Sequence, residues 1–155
     1  MTENQQYIDT LNQLLKGEFM AIRIYNQTKG TQGDEQVYHM LYQFETDHRR
    51  HARQLADRIK HLGGEPEIST GAIGFMANVT GKINSLRGPK HLLQQVYDGE
   101  AKGVHAYEDR VDELDSDSQQ LVRKLIQEDH DHLRLFKERM KRRRANIRYT
   151  MLTPY

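Results

Sequence analysis

Residues 37–62 read VYHMLYQFETDHRRHARQLADRIKHL, and the apolar seam in them runs Val37, Leu41, Phe44, Leu55, Leu62. Steps of three and four place these residues on one face of a helix. His48 and His51 continue the same steps, so two imidazoles sit where the seam calls for apolar side chains. A helix that buries this face therefore carries a His-x-x-His pair into the core.

Three further stretches repeat the pattern. One reads Ile8, Leu11, Leu15, Glu18, Ile22, Tyr25; another reads Leu93, Tyr97, Glu100, Val104, Tyr107, Val111, Leu114; the last reads Val122, Leu125, Asp129, His132, Phe136. Each seam breaks once, into Glu, Glu and Asp-x-x-His. Residues three or four apart share a face, so Glu18, His48, His51, Glu100, Asp129 and His132 point toward one interior. A single polar residue on a seam is ordinarily a satisfied core group. Three buried carboxylates in one layer need counter-charge, because each unpaired one costs several kcal/mol against a total stability of about 5–15 kcal/mol. Three imidazolium ions can supply it in a buried ion-pair network, and two divalent cations supply it better.

The halves of the chain also resemble each other. KGEFMAIRIY at 16–25 aligns with DGEAKGVHAY at 98–107, matching Gly17 with Gly99 and Tyr25 with Tyr107. Each half reads as a hairpin with a carboxylate on its first helix and a ligand pair on its second. Thr2 with Gln5 forms a capping-box pattern that starts the first helix, and Gly30 and Gly33 break it. Asp34 suits the N-cap of the second helix, and Pro89 suits the first turn of the third. The third helix is expected to end near Leu114, with Ser116 and Gln119 restarting the chain. Residues 63–88 are too long for a tight turn. Their seam, Ala72, Met76, Val79, Ile83, Leu86, predicts a crossover helix about one bundle long. The expectation is all-α: a four-helix bundle of two antiparallel hairpins joined by a long crossover over residues 1–144, followed by a basic, flexible tail at 145–155.

Composition narrows the chemistry. Among 155 residues there is no cysteine, which excludes disulfides, zinc-thiolate sites and thiol nucleophiles. Any metal must be held by His, Asp and Glu, a donor set suited to iron, manganese or zinc. No apolar run approaches a membrane span and MTENQQ is polar from the start, so a cytoplasmic location is expected. The net charge of +1 conceals an asymmetry. Lys141, Arg142, Arg143, Arg144 and Arg148 lie beyond residue 140 with no acid. The 23 basic residues include these five, so the rest carries 22 acids against 18 bases. Such a tail can meet an anionic membrane surface or, less readily, nucleic acid, or it can be a solvated helix end. Arg49, Arg50 and Arg53 read as a solvated face. Glu45 and Glu128 lie off the seam centres, as neighbours of the site or substitutes for His48 and Asp129. Tyr25 and Tyr107 read first as core residues that could also hydrogen-bond a ligand or donate an electron.

These strings resemble a known superfamily. LNQLLKGEFMAIRIYNQ is similar to the first helix of bacterioferritins, and its GEFMAIRIYNQ portion also resembles the opening helix of demethoxyubiquinone hydroxylases. HRRHARQL fits the second-helix motif of both, with His51 as the family histidine. GFMANVTGKINSLRGPKHLLQQV and VYDGEAKGVHAY resemble the hydroxylases' crossover and third helix, and EDHDHLRLF their fourth. Uncharacterised bacterial ferritin-like proteins with Gly-Glu on helices 1 and 3 are similar as well. The resemblance implies the ferritin-like fold with two divalent ions, iron foremost and zinc or manganese as alternatives. Glu18 and Glu100 become terminal ligands, His51 and His132 nitrogen ligands, Asp129 a bridge and His48 an additional donor. It implies a diiron oxidoreductase using dioxygen or peroxide, with a small-molecule or quinol substrate and peripheral membrane contact. The alternatives are an iron-binding or storage protein of bacterioferritin type, or a stress-related bundle that has lost its metals. A homodimer or larger homo-oligomer is expected. His48 and Asp129 stand where these families have bridging glutamates. An imidazole nitrogen cannot bridge two metals as a carboxylate can, so the second ion should be held more weakly.

Overall fold

The computed structural model describes residues 2–68 and 88–152. Among these residues there are four α-helices: α1 (Glu3–Lys29), α2 (Glu35–His61), α3 (Pro89–Glu108) and α4 (Ser116–Leu152), with a 3-10 turn at Val111–Glu113. The described residues form the all-α, four-helix architecture expected, with no strand among them.

The caps follow the sequence. Thr2 accepts the N–H of Gln5, and Asp34 accepts those of Gln36 and Val37. Gly63 and Gly88 both hold positive φ, at the exit of α2 and the entry of α3, where the left-handed backbone favours glycine. Two details depart from expectation. The third helix stops at Glu108, and Val111–Glu113 forms the 3-10 turn instead. With three residues per turn, Val111 and Leu114 still fall on one side and stay buried. The cap of α4 is Asp115, one residue before the expected Ser116: its Oδ1 accepts the Ser118 N–H at 3.2 Å. Arg58 also bonds Asp115 and Ser118, tying α2 to this corner. The seam expected of a crossover helix lies outside the described residues. The backbone of α4 passes residue 144 without a break and reaches Leu152.

Cross-links fix the helix directions. Tyr25 of α1 meets Glu100 of α3 while Tyr107 of α3 meets Glu18 of α1, so α1 and α3 run antiparallel. His51 of α2 meets Glu128 of α4, and Asp47 meets His132, which makes α2 and α4 antiparallel too. After α2 the chain returns to α1, where the Asn12 amide donates to the Glu65 carbonyl and accepts the Glu67 N–H.

The core is divided. One apolar cluster gathers Ile8, Leu11, Leu15, Leu55, Ile59, Val111, Val122 and Leu125 toward one end of the bundle. The other gathers Tyr25, Val37, Leu41, Phe44, Leu93, Val96 and Phe136. Each fully buried aliphatic side chain contributes roughly 1.5–3 kcal/mol. Those contributions hold the polar layer between the clusters. No helix of the described residues is long and apolar enough to cross a membrane.

Candidate metal centre

The layer between the two clusters contains Glu18, His48, His51, Glu100, Asp129 and His132, all buried. α1 supplies the first, α2 the two histidines, α3 Glu100 and α4 the last pair. Their donor atoms form two overlapping quartets, Glu18–His48–His51–Asp129 and His48–Glu100–Asp129–His132, each with its atoms within 4.8 Å of one another. His48 and Asp129 belong to both. The convergence expected from the seams is therefore present in the fold.

His48 occupies the centre. Its Nδ1 lies 2.7 Å from Glu18 Oε2 and its Nε2 3.1 Å from Glu100 Oε2. Burial would discharge this imidazole, but Glu18 and Glu100 outweigh burial and hold its pKa well above the usual value. In that state it donates to both glutamates. Burial likewise works to raise the Glu18 carboxyl, yet His48 and then His51 bring it down to about 2. Glu100 also falls well below the carboxylate range, against burial, through His48 and His132. Asp129 goes the other way, to about 7, because it is buried beside Glu100 and Glu18.

A second tier surrounds this layer. His132 Nδ1 lies 2.9 Å from Glu100 Oε1, and its Nε2 lies 3.1 Å from Asp47 Oδ2. His51 Nε2 lies 2.7 Å from Glu128 Oε2. Asp47 and Glu128 each stand four residues before a site histidine, and each holds the outer nitrogen of the other half's histidine. Arg50 joins the two, at 2.9 Å from Asp47 and 2.8 Å from Glu128. Held this way, His51 turns Nδ1 inward, 3.6 Å from Asp129 Oδ1. Among the described residues these two buried atoms have no hydrogen-bond partner. A buried donor-acceptor pair left unmade is costly, and it is the arrangement a metal ion would satisfy.

Each tyrosine crosses to the opposite half. Tyr25 Oη donates to Glu100 at 2.9 Å, and Tyr107 Oη donates to Glu18. Burial and then the nearby carboxylate push both phenols well above their usual pKa, so both stay protonated. The repeat in the sequence thus reappears as an approximate twofold in the hydrogen bonds.

One expectation is corrected. Arg50 is not a solvated face residue but the link between Asp47 and Glu128. Arg49 turns outward to Glu45, which is buried but engaged by Lys29 and Arg49 and belongs to neither quartet. Glu128 is a neighbour that holds His51. Asp47 was not singled out in the sequence; its offset of four from His51, matching Glu128 and His132, is the signal that identifies it.

Helix order, antiparallel pairing and a Glu, His-x-x-His, Glu, Asp-x-x-His layer define a ferritin-like bundle resembling bacterioferritin. The chain belongs to the family described as "Domain of unknown function (DUF2383)", whose model matches residues 6–113. It is 27% identical over 139 residues to the bacterial ferritin of Neisseria meningitidis, covering 85% of this chain and 86% of that one. Among solved structures it is similar to the dodecameric thioferritin, a bacterioferritin-related protein, of Bacteroides fragilis, with TM-score 0.77 and 19% identity over 97% of this chain and 92% of that chain. It is also similar to the Desulfovibrio desulfuricans bacterioferritin, described with a diiron site, at TM-score 0.72 and 24% identity over 88% and 78% of the two chains. A ferritin-like, diiron-carboxylate protein of Bacillus anthracis aligns with TM-score 0.69 and 22% identity, over 89% and 97%.

Proposed function

We propose that this chain binds metal ions, iron foremost, in its buried layer, as an iron-binding or storage protein of the bacterioferritin kind. The observation that carries the reading is the unpartnered pair His51 Nδ1 and Asp129 Oδ1, buried and facing each other among four further donors. Glu18, His51 and Asp129 would hold one ion, and Glu100, His132 and Asp129 the other, with His48 available to both. Bound iron would bring redox chemistry toward dioxygen or peroxide. The protein's own part is to orient the imidazoles through Asp47, Glu128 and Arg50, and to exchange His48 protons for metal. Assembly into a homo-oligomer accords with the dodecameric relative.

Metal analysis of protein from iron-replete cells, followed by anaerobic titration with ferrous iron, tests this directly. His51→Ala and His132→Ala should each abolish one bound ion, while Glu45→Ala leaves the stoichiometry unchanged. Failure to retain iron, manganese or zinc would leave a buried ion-pair network as the explanation of the layer.

A second reading, oxidoreductase action on a small molecule, is favoured by one feature. A cavity of about 430 Å³ between α1 and α3, walled by Leu14, Ala21, Ile24 and Val96, reaches Glu18 and Glu100. Oxygen uptake by the iron-loaded protein that rises on adding a quinol would support it; uptake that simply follows the iron added supports storage.

A further inference from the structure

A separate pocket of about 300 Å³ lies at the far end of the bundle, between the start of α3 and the extension of α4. Lys90, His91, Arg143 and Arg144 line it together with Gln94, over a floor made by Leu93 and Met140; among the described residues no acid takes part. None of these residues belongs to the metal layer.

Several features leave this pocket short of negative charge. α3 has no acid in its first turn, and Gly88 at its N-cap offers no side chain to the free N–H groups. A helix N-terminus carries partial positive charge and ordinarily takes Asp, Glu or a capping oxygen. Here it has Lys90 and His91 instead, with two arginines brought across from α4. Arg143 Nη1 is buried and has no hydrogen-bond partner among the described residues. Lys90, Arg143 and Arg144 line one pocket at a helix N-terminus with no acid among its described lining residues, an arrangement that an anion completes. Phosphate suits it best, because it takes two charges and paired guanidinium N–H donors. The apolar floor gives room for the carbon portion of such a ligand.

We propose that this pocket binds a phosphate-bearing ligand, with the phosphate held by Lys90, Arg143 and Arg144 at the start of α3 and its apolar portion against Leu93 and Met140. The ligand's source is either a soluble phosphate compound or the headgroup of an anionic lipid. Arg142 provides the control: it lies in the same basic run, is exposed, and does not line the pocket.

The test uses the full chain at physiological salt. Inorganic phosphate is titrated by calorimetry, and co-sedimentation compares phosphatidylglycerol vesicles with phosphatidylcholine vesicles. A pocket predicts that Arg143→Gln and Lys90→Gln each weaken binding about tenfold or more, while Arg142→Gln changes it less than twofold. Thermal melts of all three variants verify folding, and should any fail, Arg143→Lys serves as the milder change. Binding of inorganic phosphate alone identifies a soluble source. Retention on phosphatidylglycerol but not phosphatidylcholine, with the same dependence on Arg143, identifies a lipid one. Equal loss in the Arg142 and Arg143 variants, for vesicles or for an added DNA duplex, would mean diffuse attraction and overturn the pocket. So would absence of binding in both arms.

Discussion

Arg50 shows how a surface-like residue comes to control a buried one. It touches neither quartet, yet it holds Asp47 and Glu128, and these hold the outer nitrogens of His132 and His51. Groups that orient metal-ligating histidines typically account for about 10–100-fold in metal affinity. Arg50→Gln should weaken metal binding within that range while the fold stays intact, whereas Arg49→Gln, which loses only contacts to Glu45, should leave affinity unchanged. Competition with a chromophoric chelator measures both. Asp129 gives a prediction of opposite character. Its folded pKa of about 7 lies above the unfolded value, so the folded metal-free protein holds this proton more tightly than the unfolded chain does. The metal-free form therefore loses stability as pH rises from about 4 through 7, as Asp129 is forced to ionise beside Glu18 and Glu100. Asp129→Asn should remove that decline and raise the melting temperature of the metal-free chain at pH 8, while abolishing metal binding. A variant less stable than the parent at pH 8 would show that the carboxylate is not the strained group.

At the scale of the helices, Asp34 does two jobs. It caps α2 through Gln36 and Val37 and receives Arg139 of α4 at 2.7 Å and 2.9 Å. Losing an N-cap of this type costs about 0.5–2 kcal/mol, and Arg139 would also lose its partner. Urea denaturation should show Asp34→Ala destabilising the chain by about 1–2 kcal/mol, more than Arg139→Ala; equal losses would mean that the cap contributes nothing. The seams made most of this scale legible. Leu11, Leu15, Leu41, Leu55, Val122, Leu125 and Phe136 are all fully buried, as a period of 3.6 requires. What periodicity could not reach was contact between helices. The pairing of His51 with Glu128 and of His132 with Asp47 depends on the rotation of α2 against α4, which no single seam reports. Glu45 illustrates the same limit: off the seam centre, it is nevertheless buried because Lys29 and Arg49 neutralise it there. Burial followed from pairing rather than from phase. The end of α3 at Glu108 escaped for another reason, since a 3-10 turn keeps Val111 and Leu114 inward and leaves the apolar spacing nearly unchanged.

Across the whole molecule, the metal layer joins all four helices, so its occupancy is coupled to global stability. In the metal-free state His48 provides the central positive charge, donating to Glu18 and Glu100 from opposite sides of the bundle. The depressed pKa of Glu18 means this contribution is present above the unfolded carboxylate value and disappears as pH falls from about 4.5 toward 2. A ligand that binds only the folded state at a hundred times its Kd adds about 2.7 kcal/mol. For a chain of this length that corresponds to a rise of roughly 5–10 °C in Tm. Ferrous iron should produce such a rise at pH 7 and a chelator should reverse it; at pH 4 protons on the donors should suppress it. His48→Glu then separates the two roles of the central residue. It restores a fourth carboxylate at the position shared by the quartets, so the second ion should bind with affinity closer to the first. It also removes the imidazolium from between Glu18 and Glu100, so the metal-free variant should melt well below the parent. Calorimetric melts with and without ferrous iron read both consequences together. A His48→Glu variant that matches the parent when metal-free, or that binds fewer ions when loaded, would show that His48 does not occupy the bridging position.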